Sequence, residues 1–265
     1  MRNLTVAIKG AGDLASGVAW RLYQARIRRL YMLELALPRA VRRCVAYSEA
    51  VHDGAKTVEG VTAVRIDRAA ELSRAWAAGN LAVLVDPDWK TVSEHPPDIV
   101  IDAILAKRNL GTCLDEAPLV IGLGPGFVAG RDVHRVIETR RGHNLGRVFS
   151  RGSAAKDTGV PGNIGGYTTQ RVLRSPGAGI FQAQAQLGDT VTKGAVVGLV
   201  DQKAVRAQIS GILRGLIRDG TPVSAGEKVG DIDPRGHGAY CASISDKARS
   251  LGGAVLEAIL HQFNT

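Results

Sequence analysis

The sequence predicts an α/β fold of the Rossmann type, a doubly wound, mostly parallel sheet, followed by a β-rich barrel-sandwich hybrid domain and a C-terminal helix. Three observations predict it: a strand that enters a glycine turn and a helix at the amino terminus, apolar runs that alternate with helical segments through the first half, and a duplicated turn in the second half. At 265 residues the chain exceeds the usual size of one core, so two domains are expected. The boundaries expected are 1–165 for the nucleotide-binding type domain with an irregular extension, 166–240 for the β domain and 241–265 for a helix that packs back on the first domain.

The elements follow from the pattern. Residues 4–9 are an apolar run ending in Gly10-Ala11-Gly12, as a buried strand entering a tight turn would read. Val18, Leu22 and Ala25 then recur at helical spacing, and residues 30–35 read as a second strand. Residues 38–66 interrupt the alternation with a basic stretch around Ala40 and a hairpin through Val58-Glu59-Gly60-Val61. A helical segment at 69–77 precedes three bounded apolar runs, at 81–85, 98–104 and 118–123. Beyond Gly124-Pro125-Gly126-Phe127 the texture turns glycine-rich. In the second half Gly188-Asp189-Thr190-Val191-Thr192-Lys193-Gly194 is echoed by Gly220-Thr221-Pro222-Val223-Ser224-Ala225-Gly226, so two related β units should fold against one another. Ala248, Leu251, Val255, Ile259 and Phe263 give the tail a helical face despite Gly252-Gly253.

Composition narrows the function. A net charge of +9 points to an acidic partner, and small scattered groups of Lys and Arg fit a solvated basic face as well as an anion site. Aromatic residues make up 5%, too few for the stacking platforms of single-strand nucleic-acid binding, so no nucleic-acid partner is expected. No apolar run is long enough to span a membrane and the first residues lack a signal-peptide pattern, which predicts a cytoplasmic protein. The three cysteines are far apart with no metal-ligand spacing, and no metal site is expected.

Gly10-x-Gly12-x-x-Ala15 with Glu34 at the end of the next strand matches the dinucleotide fingerprint: glycines for the turn and the approach of a pyrophosphate, small Ala15 for helix packing, Glu34 for ribose hydroxyls. Lys9 could reach a phosphate, whereas Asp13 favours the helix terminus but competes with an anion there. In a doubly wound sheet the ligand sits beyond the carboxyl ends of the strands, which gathers Asp102, Lys107, Arg108, Asn109, Gly124 and Gly126 at the crevice. Lys107 and Arg108 suit a phosphate clamp, and a solvated loop is the plainer reading. His134 and Glu138 are four apart and on a helix could share a metal or a proton, or His134 could be an ordinary hydrogen-bonded histidine. Cys241, just before Asp246 and Lys247 at a helix start, sits where a thiol's pKa can fall, and a buried inert cysteine is the plainer reading.

Six strings carry a family resemblance: residues 8–15 around Lys9-Gly10-Ala11-Gly12-Asp13, residues 102–109 from Asp102 to Asn109, Gly124-Pro125-Gly126-Phe127, residues 136–143 ending in Arg141-Gly142-His143, Asp233-Pro234-Arg235, and Ile244-Ser245-Asp246-Lys247. Together they resemble the YqeB family of accessory proteins for selenium-dependent molybdenum hydroxylases. The resemblance implies a role in making or installing the molybdenum cofactor or its labile selenium, with a hydroxylase client as partner and a dinucleotide-form ligand, molybdopterin dinucleotide or NAD. It further implies that Lys9, Lys107 and Arg108 hold phosphates and that Cys241 carries sulfur or selenium chemistry. The second domain also resembles biotinyl and lipoyl carriers, with Lys203 near the carrier hairpin but one residue out of register and without the flanking methionines.

Two other readings stay open on the residues alone. One is an NAD-dependent oxidoreductase acting on a small acidic substrate, with Lys107 or Asp102 moving the proton. The other is a noncatalytic scaffold whose nucleotide site is vestigial.

Overall fold

The computed structural model describes residues 3–264. The chain divides into two compact units, the first made of residues up to 38, 46–158 and 244 onward, the second of 39–45 and 159–243.

The first unit is built in chain order from β1 (Thr5–Lys9), α1 (Asp13–Gln24), β2 (Arg29–Glu34), α2 (Ala50–Asp53), β3 (Ala55–Val58), β4 (Val61–Arg65), α3 (Leu72–Ala77), β5 (Leu81–Val85), α4 (Lys90–Glu94), β6 (Ile99–Asp102), β7 (Leu119–Leu123), β8 (Arg135–Ile137) and β9 (Val148–Phe149). The strands form one sheet in the order β3-β4-β5-β2-β1-β6-β7-β8-β9. Pairs from β4 through β8 are parallel, whereas the outermost pairs, β3 with β4 and β8 with β9, are antiparallel. Strands β1 and β7, buried on both faces, are the near-continuous apolar runs that parallel pairing requires.

This corrects the expected doubly wound Rossmann sheet. The sheet is mixed rather than parallel to its edges, and helices are few: α2, α3 and α4 have 4, 6 and 5 residues, so only α1 is a long crossover helix. The reasons are local. Glu59 and Gly60 both take positive φ, which closes a tight hairpin and sends β4 back beside β3. Between β6 and β7, Leu105, Lys107 and Gly111 also have positive φ, which a helical crossover cannot accommodate.

Helix α5 (Asp246–Phe263) belongs to the first unit and lies along α1. Ser245 caps it, accepting from the Ala248 amide at 3.2 Å. Contact is backbone-close: a Cβ on Gly17 would come within 2.6 Å of the Ala248 Cβ, and one on Gly252 within 2.7 Å of the Arg21 Cβ. Contacts advance in the same direction on both helices, so they run parallel with their amino termini side by side. The hairpin between β3 and β4 fastens this start, with Glu59 accepting from the Ile244 amide at 2.8 Å and from Arg249 at 2.7 and 2.8 Å.

The second unit contains β10 (Val172–Arg174), β11 (Gly179–Ala183), β12 (Thr190–Val191), β13 (Val196–Val200), β14 (Lys203–Arg206), β15 (Gly211–Leu216), β16 (Pro222–Val223) and β17 (Lys228–Asp233). They form two four-stranded antiparallel sheets, β10-β17-β15-β12 and β14-β13-β11-β16. The duplicated turns explain the arrangement. Each turn leads through a short strand, β12 or β16, into a long one, β13 or β17, and each short strand joins the sheet that holds the other copy's long strand. Neither copy closes a core alone; together they bury Phe181, Val197, Leu213, Ile217, Val229 and Ile232. Residues 39–45 belong here because Leu216 donates to the Val41 carbonyl at 2.8 Å and Arg43 to the Leu216 carbonyl at 2.8 Å.

Two substitutions test the helix contact by urea denaturation. Gly17→Val should destabilise by roughly 1–3 kcal/mol through overpacking. Gly253→Ala, whose new Cβ meets nothing within 4 Å, should stabilise by up to about 1 kcal/mol. Equal effects at both sites would contradict the close approach of the helices.

Candidate functional site

Because β1, β6, β7 and β8 run parallel, their carboxyl ends, Lys9, Asp102, Leu123 and Ile137, open on the same edge of the sheet. The segments that follow them pack against one another there. Gly10, at φ 89°, would bring a Cβ to 3.4 Å from the Ala103 carbonyl oxygen, and Gly126, at φ 113°, would bring one to 2.6 Å from the Arg108 backbone. Only glycine satisfies both the left-handed conformation and the approach. Gly124 likewise sits against the Thr139 hydroxyl.

A buried polar framework lies beneath this rim. Lys9 has no exposed surface; its Nζ donates to Thr112 Oγ1 at 2.8 Å and Glu116 Oε1 at 2.7 Å and lies 4.0 Å from the centre of the Trp89 ring. Thr112 in turn donates to Asp102 Oδ2 at 2.7 Å, and the Ile104 amide donates to Asp102 Oδ1 at 3.2 Å. Burial pushes the Asp102 carboxyl above its usual range, against the pull of Thr112, the Ile104 amide and Lys9. Asn109 pins the loop by accepting from the Gly111 and Thr112 amides at 2.9 and 2.8 Å and donating to the Thr112 carbonyl at 2.8 Å.

Several expected roles change accordingly. Lys9 does not face a ligand: its ammonium is consumed below the turn. Glu34 accepts from the Ala11 amide at 2.8 Å and the Leu35 amide at 2.8 Å, so its carboxylate fills the turn where a pyrophosphate was expected instead of awaiting a ribose. Burial raises the Glu34 carboxyl's pKa, opposed by those two amides. Asp102, 2% exposed, is held under the rim rather than at its surface. Gly12 remains open, with extended backbone at the start of α1 and nothing within 4 Å of a Cβ position, while Ala15 is buried in the helix packing. Asp13 is half-buried in the first turn. Lys107 and Arg108 are exposed; Lys107 pairs with Asp157 at 2.8 Å.

Cys241 belongs to the second unit. The expected low thiol pKa is also reversed. Burial, reinforced by Cys44, pushes the thiol up, and Arg42 and Arg214 only partly oppose this. His134 and Glu138 do not share a partner. His134 Nδ1 accepts from the Val120 amide at 3.0 Å, whereas Glu138 accepts from the Arg140 and Ala155 amides, both at 2.7 Å. Among the described residues no group of three or more His, Cys, Asp or Glu could hold a metal ion. Lys203 is exposed and opens β14 opposite Val200.

Two rim residues escaped the sequence reading as site residues. Arg141 follows β8 and pairs with Asp246 of α5 at 2.5 and 2.8 Å. Lys247, half-buried in the first turn of α5, makes no hydrogen bond or ion pair among the described residues. Burial holds its ammonium below the usual lysine range; Arg141 and Lys107 add to this, and Asp13 and Glu138 oppose it. Residues 107, 141 and 247 are too far apart in sequence for any spacing rule to join them. Beyond Arg141, residues 143–147 line a recess of about 410 Å³.

The fold and site define a two-unit protein, one α/β and one β, with a cationic rim over the carboxyl ends of a mixed sheet. No family model matches the chain. It is 51% identical over 255 residues to the uncharacterized protein YqeB of Escherichia coli (strain K12), a match that covers 96% of this chain and 47% of that protein. The chain belongs to the YqeB family, and it spans about half the length of the relative it matches. Among solved structures it is similar to an aspartoacylase family protein of Mesorhizobium loti, at 14% identity and a TM-score of 0.27, covering 86% of this chain and 84% of that one. A succinylglutamate desuccinylase/aspartoacylase of Rhodobacter sphaeroides gives 13% identity, the same coverages and a TM-score of 0.27. At such scores nothing of their activity carries over. No helix among the described residues is long and apolar enough to cross a membrane.

Lys9→Met should lower stability by about 3 kcal/mol or more, because it strands a buried carboxylate. Lys107→Met, which breaks an exposed pair, should change it by less than about 1 kcal/mol. Chemical denaturation at neutral pH measures both, and similar values would contradict the buried hub. In iodoacetamide labelling followed by peptide mass spectrometry, exposed Cys113 should react first and Cys241 last. Fast labelling of Cys241 would show a thiol environment opposite to the one described.

Proposed function

We propose that this chain serves the maturation of selenium-dependent molybdenum hydroxylases, taking a phosphorylated, dinucleotide-form molybdenum cofactor as cargo at the rim of its first unit. What supports the cargo reading is one observation: Lys247, at the start of the helix that packs on α1, has Arg141 and Lys107 among its charged neighbours, so that edge favours an anion. Support for the molybdenum role is the likeness of the six strings, five of which lie on this rim.

The residues present fit a phosphate, with one change of seat. Glu34 closes the Ala11 amide, so a phosphate group meets Gly12 and the cations rather than the full glycine turn. The other half of such a ligand would run toward the Lys107-Arg108-Asn109 loop, whose backbone is set by Gly126. The hydroxylase client is the partner on this reading, and the cytoplasm its setting. An oxidoreductase is the weaker reading, because it asks Asp102, bound to Thr112 beneath the surface, to exchange protons with a substrate.

Deleting the gene in its native host should leave the hydroxylase polypeptide present and its activity lost. Mass spectrometry of small molecules that co-purify with the protein from that host should find a molybdopterin nucleotide. Full hydroxylase activity in the deletion strain, or NAD as the retained ligand, would overturn the proposal.

A further inference from the structure

We propose that Lys247, Arg141 and Lys107 form a dedicated oxyanion subsite on the first unit, for a terminal phosphate group, with Lys247 as the ammonium that takes the ligand. It deepens the reading of the rim as an anion seat and does not depend on which cargo carries the phosphate.

Two tethers hold these cations, and a third contact sets the start of α1 beside them. Arg141 grips Asp246, the residue before Lys247, through both guanidinium nitrogens. Glu138, three residues before Arg141, accepts from the Ala155 amide, and two residues further on Asp157 holds Lys107 at 2.8 Å. Asp13 is one turn ahead of Gly17, which packs on Ile244 and Ala248 at the start of α5, so the beginning of α1 lies beside Lys247.

The arrangement is electrostatically costly without a ligand. A lysine in the first turn of a helix opposes the helix dipole, and Lys247 is half-buried and faces two more cations. The acidic groups nearby are committed elsewhere in part: Glu138 to two backbone amides, Asp246 to Arg141, Asp157 to Lys107. Asp13 offers one opposing charge from α1. Lys247 has no hydrogen-bond partner among the described residues, so its donors are available. A phosphate dianion would accept from all three side chains and sit before two parallel helix amino termini.

The test uses the full chain and inorganic phosphate. Calorimetric titration at low ionic strength should show saturable binding that Lys247→Met weakens about tenfold or more, the scale of a lost charge-assisted hydrogen bond. Lys247→Arg should retain most of it, and Lys203→Met, which removes an equal charge from the other unit, should change it less than about twofold. Thermal melting separates binding from folding: without phosphate Lys247→Met should melt no lower than the parent, and added phosphate should raise the parent's melting temperature but not the variant's.

Sulfate, which stays a dianion over the working range, supplies the pH arm. Lys247 titrates below the usual lysine range in the free protein and an anion raises it, so binding takes up protons and weakens as pH rises. Asp13, Glu138, Arg141 and Lys107 face the same group, and the Lys247→Met variant isolates its share. Equal losses for Lys203→Met and Lys247→Met, or no saturable binding of either ion, would overturn the subsite. If phosphate binding depends on Lys247 but no molybdopterin nucleotide co-purifies, the subsite stands and the maturation role falls. Preference for AMP over NAD would support a terminal phosphate, and the reverse preference would overturn that part of the assignment.

Discussion

The buried ammonium of Lys9 is the constraint on which the first unit rests. It sits at the end of a strand paired on both sides, and an ion without solvent is tolerable only with a full set of partners. Glu116, Thr112 and the face of Trp89 provide that set, and Thr112 passes the connection on to Asp102. Three segments distant in sequence, the ends of β1 and β6 and the loop that enters β7, are thereby held in one arrangement. Apolar replacements could fill the same space, but they would not fix the direction of the 103–112 loop, because only directional hydrogen bonds do that.

That fixed loop explains the strain above it. Leu105 and Lys107 both hold positive φ, at 62° and 66°, an arrangement that costs about 1–3 kcal/mol per residue and persists only where surroundings over-determine it. Here the framework below and Gly126 above do so. The consequence is a separation of roles: the charges of the framework beneath the rim are paired and buried, whereas exposed Arg108 and half-buried Lys247 make no side-chain hydrogen bond among the described residues.

The second unit solves a different problem with similar means. Its sheets are short, and it holds them with a buried ionic cluster in which Asp231 takes both Arg171 and Arg214, and Asp233 takes Arg214 and Arg235. Burial works against the ionised form of Asp233, yet Arg235 and Arg214 hold its carboxyl below the usual range. The Asp233-Pro234-Arg235 string is thus accounted for by structure, since Arg235 closes back on Asp233 at 2.6 Å. Cys241 lies in the same unit, buried at 6% exposure with its thiol pKa raised, which favours an inert packing residue over a carrier of sulfur.

The sequence by itself determined the local elements: the apolar runs at 4–9, 81–85 and 118–123, the Glu59-Gly60 hairpin and the duplicated glycine turns are all short-range patterns, legible because periodicity and turn chemistry act within a few residues. Lys107, Arg108, Asn109, Gly124 and Gly126 were legible as rim residues for the same reason, since they directly follow strands. Only the tertiary structure decided that antiparallel strands flank the sheet, that Lys9 and Glu34 turn inward, that each repeat lends a strand to the other, and that Arg141 pairs with Asp246 beside Lys247. These outcomes depend on which groups compete for the same buried donors and acceptors, and that competition involves residues from 23 to 107 positions apart that no local pattern connects.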